Sequence, residues 1–295
     1  MKDLNGRVAV VTGAASGIGR ATALELARAG CQLALADVNA AALDSVRTQA
    51  EALGARVSVH RVDVASEAEM RAFVSAVIAA HGGVNILINN AGVAATGTLE
   101  DQDLEAYRWL VGINFWGVVY GCKLFLPHLK RADAAHIVNI SSMFGLTGVP
   151  TQSAYCATKF AVRGFTESLW LELHPYGIGV TSVHPGMIAT NIVREGKMTA
   201  REERARAGAV ARFAQGMPPR RAAQQIVKAI RKNRQRQLIG LEAHATDLLR
   251  RLLPAASIHL ISLGYAAVSR RLRGEAPPAA EPEAESQSAG TQLLN

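Results

Sequence analysis

Tyr155 and Lys159 are the side chains in this sequence best suited to moving a proton to or from a substrate. They lie four residues apart in a segment with a helical pattern, so both project from one face of the predicted helix. A tyrosine hydroxyl ordinarily ionises far above neutral pH, but a nearby ammonium group and a cationic nicotinamide ring would favour its phenolate form. Ser142, at the end of the preceding predicted strand, adds a hydroxyl that can hydrogen-bond a substrate oxygen. The set suits acid–base catalysis of hydride transfer at a carbon that bears oxygen, although a Tyr–x3–Lys pair also occurs on helices for solubility alone.

A glycine-rich turn follows the first predicted strand and leads directly into a predicted helix. Its sequence is Thr12-Gly13-Ala14-Ala15-Ser16-Gly17-Ile18-Gly19. Glycines at such a junction let the backbone approach a pyrophosphate, whose negative charge is stabilised by the helix N-terminus. The spacing is GxxxGxG rather than the more familiar GxGxxG. A plain tight turn between strand and helix is the alternative interpretation.

Asp37 ends the second predicted strand, 24 residues after Gly13. A carboxylate at this place can accept hydrogen bonds from both hydroxyls of an adenosine ribose and would repel a 2′-phosphate. Neither Ser16 nor Val38 supplies a basic side chain that would offset that repulsion. The sequence therefore favours NAD, with NADP less favoured, and leaves open that Asp37 serves only as a loop or helix-cap residue.

These residues must be positioned by the elements that surround them, and short apolar runs alternate with helical patterns along most of the chain. The predicted strands are 7–12, 33–38, 57–62, 84–88, 136–140, 178–183 and 237–241, and the predicted helices are 18–29, 40–53, 66–80, 103–131, 153–174 and 220–232. Alternation of this kind predicts an α/β fold with a doubly wound, Rossmann-type parallel sheet flanked by helices on both faces. A helical C-terminal extension follows the last strand.

Taken together, the motifs resemble those of the short-chain dehydrogenase/reductase family over about residues 4–240. The motifs that carry the resemblance occur in the family's order and are the glycine turn, Asp63-Val64, Asn89-Asn90-Ala91-Gly92, the set Asn114, Ser142, Tyr155 and Lys159, and Pro185-Gly186-x3-Thr190. Each is modest alone, but together and in register they are specific. None of the catalytic positions departs from the family pattern; the departure is the segment after about residue 240.

The resemblance implies a role for each matched residue. Tyr155 would be the general base in alcohol oxidation and the acid in the reverse direction, Lys159 would lower its pKa and hold the nicotinamide ribose, and Ser142 would orient the substrate oxygen. Asn114 would hold a water that relays protons to Lys159. The implied cofactor contacts are Gly13, Ser16, Gly17, Ile18, Gly19, Asp37, Asp63, Val64, Asn90, Tyr155, Lys159, Ile188 and Thr190. Val93, Met143, Val149 and Met187 fall where the family forms its substrate pocket, and their apolar character predicts an apolar alcohol or ketone.

Composition excludes several other classes of protein. Three cysteines without a CxxC argue against a disulfide framework or a thiolate zinc site, and the eight histidines show no metal-ligand spacing, so no metal site is predicted. The absence of a basic leader followed by a long apolar run predicts no signal peptide, and a reducing, cytoplasmic location is expected. Cys156 is interpreted as a small buried helix residue and His184 as a structural one.

The basic charge of the chain is concentrated towards its C-terminus. Residues 1–193 carry a net charge of −1, residues 194–273 carry +13, and residues 274–295 carry −4. We expect a catalytic domain over 1–240 with a lid at about 191–217, a helical extension over 241–273, and a disordered tail over 274–295. The apolar part of the extension, within 244–273, is open to three interpretations: a cover or oligomer contact, a peripheral membrane helix, or a short membrane span.

Three functions are weighed from the sequence. The first is an NAD-dependent dehydrogenase or ketone reductase acting on an apolar small molecule, working as a homodimer or homotetramer. The second is a catalytically idle NAD-binding regulator, against which the intact catalytic set argues. The third is a nucleic-acid binder that uses the basic segment; with aromatic residues at only 5% of the chain, nucleic acid is not expected as a partner.

Overall fold

The computed structural model describes residues 1–260 and 262–264, which form one three-layer unit. Its strands are β1 Val8–Thr12, β2 Gln32–Asp37, β3 Val57–Arg61, β4 Ile86–Asn89, β5 Ala95–Thr96, β6 His136–Ile140, β7 Gly179–Pro185, β8 Lys197–Met198 and β9 Arg236–Ile239. Its α-helices are α1 Gly17–Arg28, α2 Ala40–Glu51, α3 Glu67–His81, α4 Leu104–Val111, α5 Gly117–Leu129, α6 Ser153–Leu173, α7 Ile192–Glu195, α8 Ala200–Glu203, α9 Arg206–Ala214, α10 Pro219–Arg231 and α11 Leu241–Leu252.

Seven of these strands form one parallel sheet in the order β3-β2-β1-β4-β6-β7-β9. The strand order reverses direction between β1 and β4, which creates a crevice at their carboxyl ends. The predicted α/β class with a doubly wound parallel sheet is confirmed. β5 and β8 form a separate two-stranded parallel sheet that the sequence pattern did not predict.

Alternating residues of the strands face two different helix layers. Val11, Leu35 and Ile88 belong to one core cluster, which α1, α2 and α10 complete. Val10 and Leu87 point to the opposite face, where α3, α5 and α6 supply a second cluster. Because both faces are covered, the central strands are apolar nearly throughout, as their sequences indicate.

The predicted helix over 103–131 is one continuous helical stretch with an irregular middle. A π-helical turn, Gly112–Trp116, joins α4 to α5. This stretch, Leu104–Leu129, is the one helix among the described residues that is long and apolar enough to span a membrane by length and composition. Its inner side chains, including Leu110 and Phe125, are fully buried in the protein core, so core packing accounts for the apolar character.

A chain of buried amides fastens α6 to the sheet. Asn89 Nδ2 donates to Asn139 Oδ1 at 2.8 Å, and Asn139 Nδ2 donates to Thr166 Oγ1 at 3.0 Å. All three side chains are essentially inaccessible to solvent, where hydrogen bonds are strong and unpaired groups are costly. The network fixes the register of α6, the helix that carries Tyr155 and Lys159, against β4 and β6.

Candidate active site

A cavity of about 690 Å³ opens at the carboxyl ends of the strands. It is bounded by the glycine turn after β1, the end of β6, the first turns of α6 and the segment that follows β7. The predicted site residues that line it are Gly13, Ser16, Gly17, Ile18, Asp37, Asp63, Val64, Asn90, Ser142, Tyr155, Lys159, Ile188 and Thr190. Gly19 and Asn114 do not line it, and their positions are described below.

The glycine turn forms a cradle that larger residues would fill. Gly13 has a left-handed φ of +63°, and a Cβ on it would lie 2.8 Å from the Ala91 Cα. A Cβ on Gly19 would collide with the Gly13 carbonyl oxygen, so Gly19 supports the turn from beneath rather than lining the cavity. Ser16, the N-cap of α1, makes no side-chain capping bond. The turn therefore fits a pyrophosphate, which would meet open backbone at a helix N-terminus.

Asn90 holds the turn through its side chain. Its Nδ2 donates to the carbonyl oxygens of Thr12, at 2.9 Å, and Gly13, at 3.1 Å. On the other side of the turn, a Cβ on Gly17 would lie 3.1 Å from Thr190 Cγ2. The backbone N–H of Asn90 donates to Thr12 Oγ1 at 3.0 Å, so Asn90 can offer a ligand its backbone carbonyl rather than an N–H group.

Asp37 is placed both to order its loop and to face a ligand, the two roles that the sequence left open. One carboxylate oxygen accepts a hydrogen bond from the Ala15 backbone N–H and the other from the Asn39 N–H, both at 3.0 Å. The side chain also lines the cavity, near Asp63 and Val64. Each oxygen keeps a lone pair, so the carboxylate can order the loop and still accept a ligand hydroxyl.

Ser142, Tyr155 and Lys159 converge on the opposite wall of the cavity. The Ser142 side chain lies close enough to the Tyr155 hydroxyl to lower its pKa. Lys159 Nζ lies 5.6 Å from the centroid of the Tyr155 ring and donates to the carbonyl oxygen of Ile140 at 3.1 Å. Phe144 packs edge-on against the Tyr155 ring, so the phenol is held in one orientation.

The predicted lowering of the Tyr155 pKa is not found in the protein alone. Burial raises the pKa of the Tyr155 hydroxyl to about 12, and the hydrogen bond to Ser142 opposes this rise without cancelling it. Burial also lowers the pKa of the Lys159 ammonium to about 8. Both groups share a desolvated wall, and a desolvated site disfavours the charged form of each.

Asn114 lies behind the cavity wall, in the π-helical turn. Its Oδ1 accepts from the Val93 N–H at 2.8 Å, and its Nδ2 donates to the Val93 carbonyl at 2.9 Å and to Thr158 Oγ1 at 3.2 Å. A Cβ on Gly92 would lie 3.2 Å from Asn114 Oδ1 and 3.3 Å from Lys159 Nζ. The two polar atoms therefore face one small space that glycine leaves open, which is suited to the predicted water.

Two further residues support the catalytic wall. Ser141, which the sequence analysis did not single out, donates through its hydroxyl to the Lys159 carbonyl at 2.8 Å. His184 is fully buried and bonded at both ring nitrogens, to the Ser142 carbonyl at 3.1 Å and to Ser182 Oγ at 3.0 Å. Burial lowers the pKa of His184 to about 4. The structural interpretation of His184 fits this environment, and its role is to hold the backbone of Ser142.

The half of the cavity beyond Tyr155 is largely apolar. Val93, Met143, Val149 and Met187 line it as expected, together with residues of the segment 191–217. The cavity is also lined by polar side chains that were not predicted from the sequence, among them Gln152, Glu202 and Arg212. The signal for Gln152 was available, since it lies three residues before Tyr155 and hence one helical turn away.

The segment 191–217 contains α7, α8, α9 and strand β8, which pairs with β5. Arg206 anchors it: Nη1 donates to the carbonyl oxygens of Val193, Arg194 and Gly196 at 2.9–3.1 Å. The same guanidinium forms a two-point ion pair with Glu203. The segment is thus ordered over the cavity by one cation at the carboxyl end of α7, where exposed carbonyls favour positive charge.

The C-terminal extension reaches the same cavity. α11 begins directly after β9, the chain breaks at Pro254 as predicted, and residues 256–260 and 262–264 are helical. Glu242 and Gly264 both line the cavity. Residue 261 and residues 265–273 of the predicted extension lie outside the described residues, as does the predicted tail over 274–295.

Other features of the described residues show no additional chemistry. Cys31, Cys122 and Cys156 are buried and unpaired with one another. Within residues 1–260 and 262–264, no three His, Cys, Asp or Glu side chains come together in a way that could hold a metal ion.

Comparisons with known proteins agree with this architecture. The family model described as short chain dehydrogenase matches residues 7–201. The chain is 43% identical over 271 residues to SadH of Mycobacterium tuberculosis, named as an oxidoreductase, covering 90% of this chain and 98% of that one. It is 39% identical over 189 residues to a 3-alpha-(or 20-beta)-hydroxysteroid dehydrogenase of Mycobacterium bovis, covering 63% and 71%.

A solved structure shows the same arrangement of elements. It is a short chain dehydrogenase/reductase from Burkholderia phymatum in complex with NAD, with a TM-score of 0.81 and 33% identity, covering 89% of this chain and 97% of that one. The similar structures support a nicotinamide cofactor and do not decide between NAD and NADP.

Proposed function

The chain belongs to the short chain dehydrogenase family of oxidoreductases, and from that premise we propose that it interconverts a secondary alcohol and a ketone on an apolar substrate with NAD(H). The observation that carries this proposal is that Tyr155 and Ser142 face the same cavity as the glycine turn. A proton-transferring group and a pyrophosphate cradle are thereby brought to one site.

Binding of the cofactor is assigned to the residues around the glycine turn. The open backbone at Gly13–Ile18 would hold the pyrophosphate, Asp37 the adenosine ribose, Asp63 and Val64 the adenine, and Ile188 and Thr190 the carboxamide end. When bound, the nicotinamide supplies the hydride acceptor or donor and, when oxidised, a positive charge. Preference for NAD is proposed from the Asp37 carboxylate, which would repel a 2′-phosphate.

Proton transfer is assigned to the Tyr155 hydroxyl. In ketone reduction the neutral phenol donates its proton to the oxygen of the substrate, and a pKa of about 12 keeps it protonated at neutral pH. In alcohol oxidation the phenolate accepts that proton, and Ser142 stabilises the phenolate by its hydrogen bond. Lys159, fixed by the Ile140 carbonyl, adds positive charge below about pH 8 and connects the phenol to the space beside Gly92.

The substrate class is proposed from the wall beyond Tyr155. Val93, Met143, Val149 and Met187 present apolar surface there, and burial of apolar area favours an apolar alcohol or ketone. The segment 191–217 is proposed to act as a lid that excludes water. The hydroxysteroid dehydrogenase relative makes hydroxysteroids one class to test.

Assembly into a homodimer or homotetramer, and a cytoplasmic location, stay proposals. Exposed apolar side chains on neighbouring helices support an oligomer: Leu104 is 68% and Leu171 67% exposed, with Trp116 and Phe160 also exposed. Apolar surface of this kind is typical of a contact between subunits.

A panel of secondary alcohols tests the proposal directly. Hydroxysteroids, retinoids and simple cyclic alcohols are incubated with the protein and NAD, and the formation of NADH is followed by absorbance, with NADP in parallel. We expect turnover of at least one apolar secondary alcohol, faster with NAD. Binding of NADH without turnover of any member, in either direction, would instead support a non-catalytic NAD-binding protein.

A further inference from the structure

The described part of the C-terminal extension exposes an unusual amount of aliphatic surface. The large aliphatic side chains exposed there are Leu241, Leu248, Leu252, Leu253, Ile258, Leu260 and Leu263, with exposed fractions from 45% to 86%. Seven such residues lie within 23 positions, a higher density than in any other stretch of the described chain. Concentrated apolar surface marks a site of interaction.

On α11 the exposed leucines form a stripe rather than a random set. Leu241, Leu248 and Leu252 follow spacings of seven and four, so they lie on one side of the helix. Ala243 is fully buried, and Asp247 pairs with Arg236 of β9. These two residues face the protein, and the leucine stripe therefore faces away from it.

Positive charge lies near the carboxyl half of this stripe. Arg231, Lys232 and Arg234 are exposed in the turn that precedes β9. The Arg236–Asp247 pair places the middle of α11 against the start of that strand, so the carboxyl half of α11 lies at the same end of the sheet as the basic turn.

We propose that this surface, formed by residues 241–260 and 262–264 and the basic turn 231–234, binds an anionic lipid bilayer. The leucines would enter the boundary between headgroups and acyl chains, and the basic side chains would contact lipid phosphates. The aliphatic stems of arginine and lysine can lie along apolar surface while their charges reach the headgroups. The combination of aliphatic stripe and basic edge favours this occupant over a second copy of the chain, whose matching surface would carry the same positive charge.

The surface adjoins the cavity, because Glu242 and Gly264 at its two ends both line it. The docking proposal itself depends only on the exposed side chains and their charge, and its test does not require enzyme activity.

Flotation of the full-length protein with lipid vesicles tests the proposal. Vesicles of phosphatidylcholine alone are compared with vesicles in which about one third of the lipid is phosphatidylglycerol, at low and high salt. We expect binding to the anionic vesicles, little binding to phosphatidylcholine alone, and loss of binding in high salt. The double variant Leu248→Gln/Leu252→Gln should lower the bound fraction about tenfold or more, as should Arg231→Gln/Lys232→Gln.

The matched control is Leu53→Gln/Leu99→Gln, which changes two leucines that are 40% and 74% exposed elsewhere on the surface and should bind as the unaltered protein does. Thermal unfolding and NADH titration establish that each variant is folded. Failure of the unaltered protein to float with anionic vesicles would overturn the proposal. Unchanged flotation of Leu248→Gln/Leu252→Gln would also overturn it. If light scattering then gave that variant half the mass of the unaltered protein, the stripe would be assigned to contact with a second copy of the chain.

Discussion

Lys159 reaches beneath the ring of Tyr155, with Nζ 5.6 Å from the ring centroid, and is fixed there by a hydrogen bond to the Ile140 carbonyl. The ammonium is therefore oriented by the sheet rather than by the phenol. Because burial raises the Tyr155 pKa to about 12 and lowers the Lys159 pKa to about 8, the protein at neutral pH holds a neutral phenol beside a cation. This is the protonation state that ketone reduction requires.

Asp37→Asn should relax the preference for NAD. The amide oxygen can still accept one of the two backbone hydrogen bonds at this loop, but the negative charge that repels a 2′-phosphate is gone. We expect kcat/KM with NAD to fall about tenfold and kcat/KM with NADP to rise, an energetic change of about 1.4 kcal/mol for each tenfold step. Steady-state rates with both cofactors measure this. An unchanged ratio of the two values would exclude Asp37 from the ribose site.

Arg206→Lys should loosen the segment over the cavity. An ammonium cannot donate to three carbonyls while also pairing with Glu203 at two points. We expect the KM for the alcohol or ketone to rise about tenfold, which corresponds to the net free energy of about one hydrogen bond. The kcat should change little. The matched control is Arg220→Lys, which alters an exposed ion pair with Glu25. If both variants keep the original KM, the position of the segment over the cavity does not depend on Arg206.

The buried histidine of β6 should make the protein sensitive to acid. Burial lowers the pKa of His136 to about 3, whereas a histidine in the unfolded chain titrates near its ordinary value of about 6.5. Between these values the unfolded chain binds one more proton than the folded one, so the free energy of unfolding falls as the pH falls, by about 1.4 kcal/mol per pH unit. His184, with a pKa lowered to about 4, acts in the same direction.

Denaturant unfolding between pH 6 and pH 4 measures this dependence. His136→Gln keeps a polar group near Thr181, the partner of His136 at 2.7 Å, but cannot titrate. The free energy of unfolding of this variant should therefore fall less steeply with pH, by about 1.4 kcal/mol per pH unit. His174→Gln, at an exposed position, serves as the control and should keep the original slope. Equal slopes for all three proteins would contradict the assignment.

Local sequence patterns were sufficient to predict the helices and strands that face the core. The apolar run before Gly13 predicts β1, and the glycines predict the turn, because both depend on a few neighbouring residues. The two-residue strands β5 and β8 have no pattern of their own. They depend on pairing between Ala95–Thr96 and Lys197–Met198, a contact across about a hundred residues that no short window contains.

Parts of the candidate site depended on tertiary contacts in the same way. The sequence predicts a helix over 103–131 but not its π-helical turn, from which Asn114 bonds to Val93 and Thr158. Those partners belong to other segments. A lowered pKa for Tyr155 was predicted from nearby positive charge, including that of Lys159. Burial, which is a property of the assembled fold, proved to be the larger effect.

The central claim is that the Tyr155 hydroxyl transfers the proton, and Tyr155→Phe tests it most directly. The variant keeps the ring and its packing on Phe144 and removes only the hydroxyl. Tyr107→Phe is the control, because it removes a hydroxyl that bonds to Ser153 at the start of the same helix, at 2.6 Å. With a substrate identified from the panel, kcat of Tyr155→Phe should fall by about 10²–10⁴-fold while the Kd for NADH stays the same, and Tyr107→Phe should retain its rate. A Tyr155→Phe protein that binds NADH and turns over at the original rate would contradict the account.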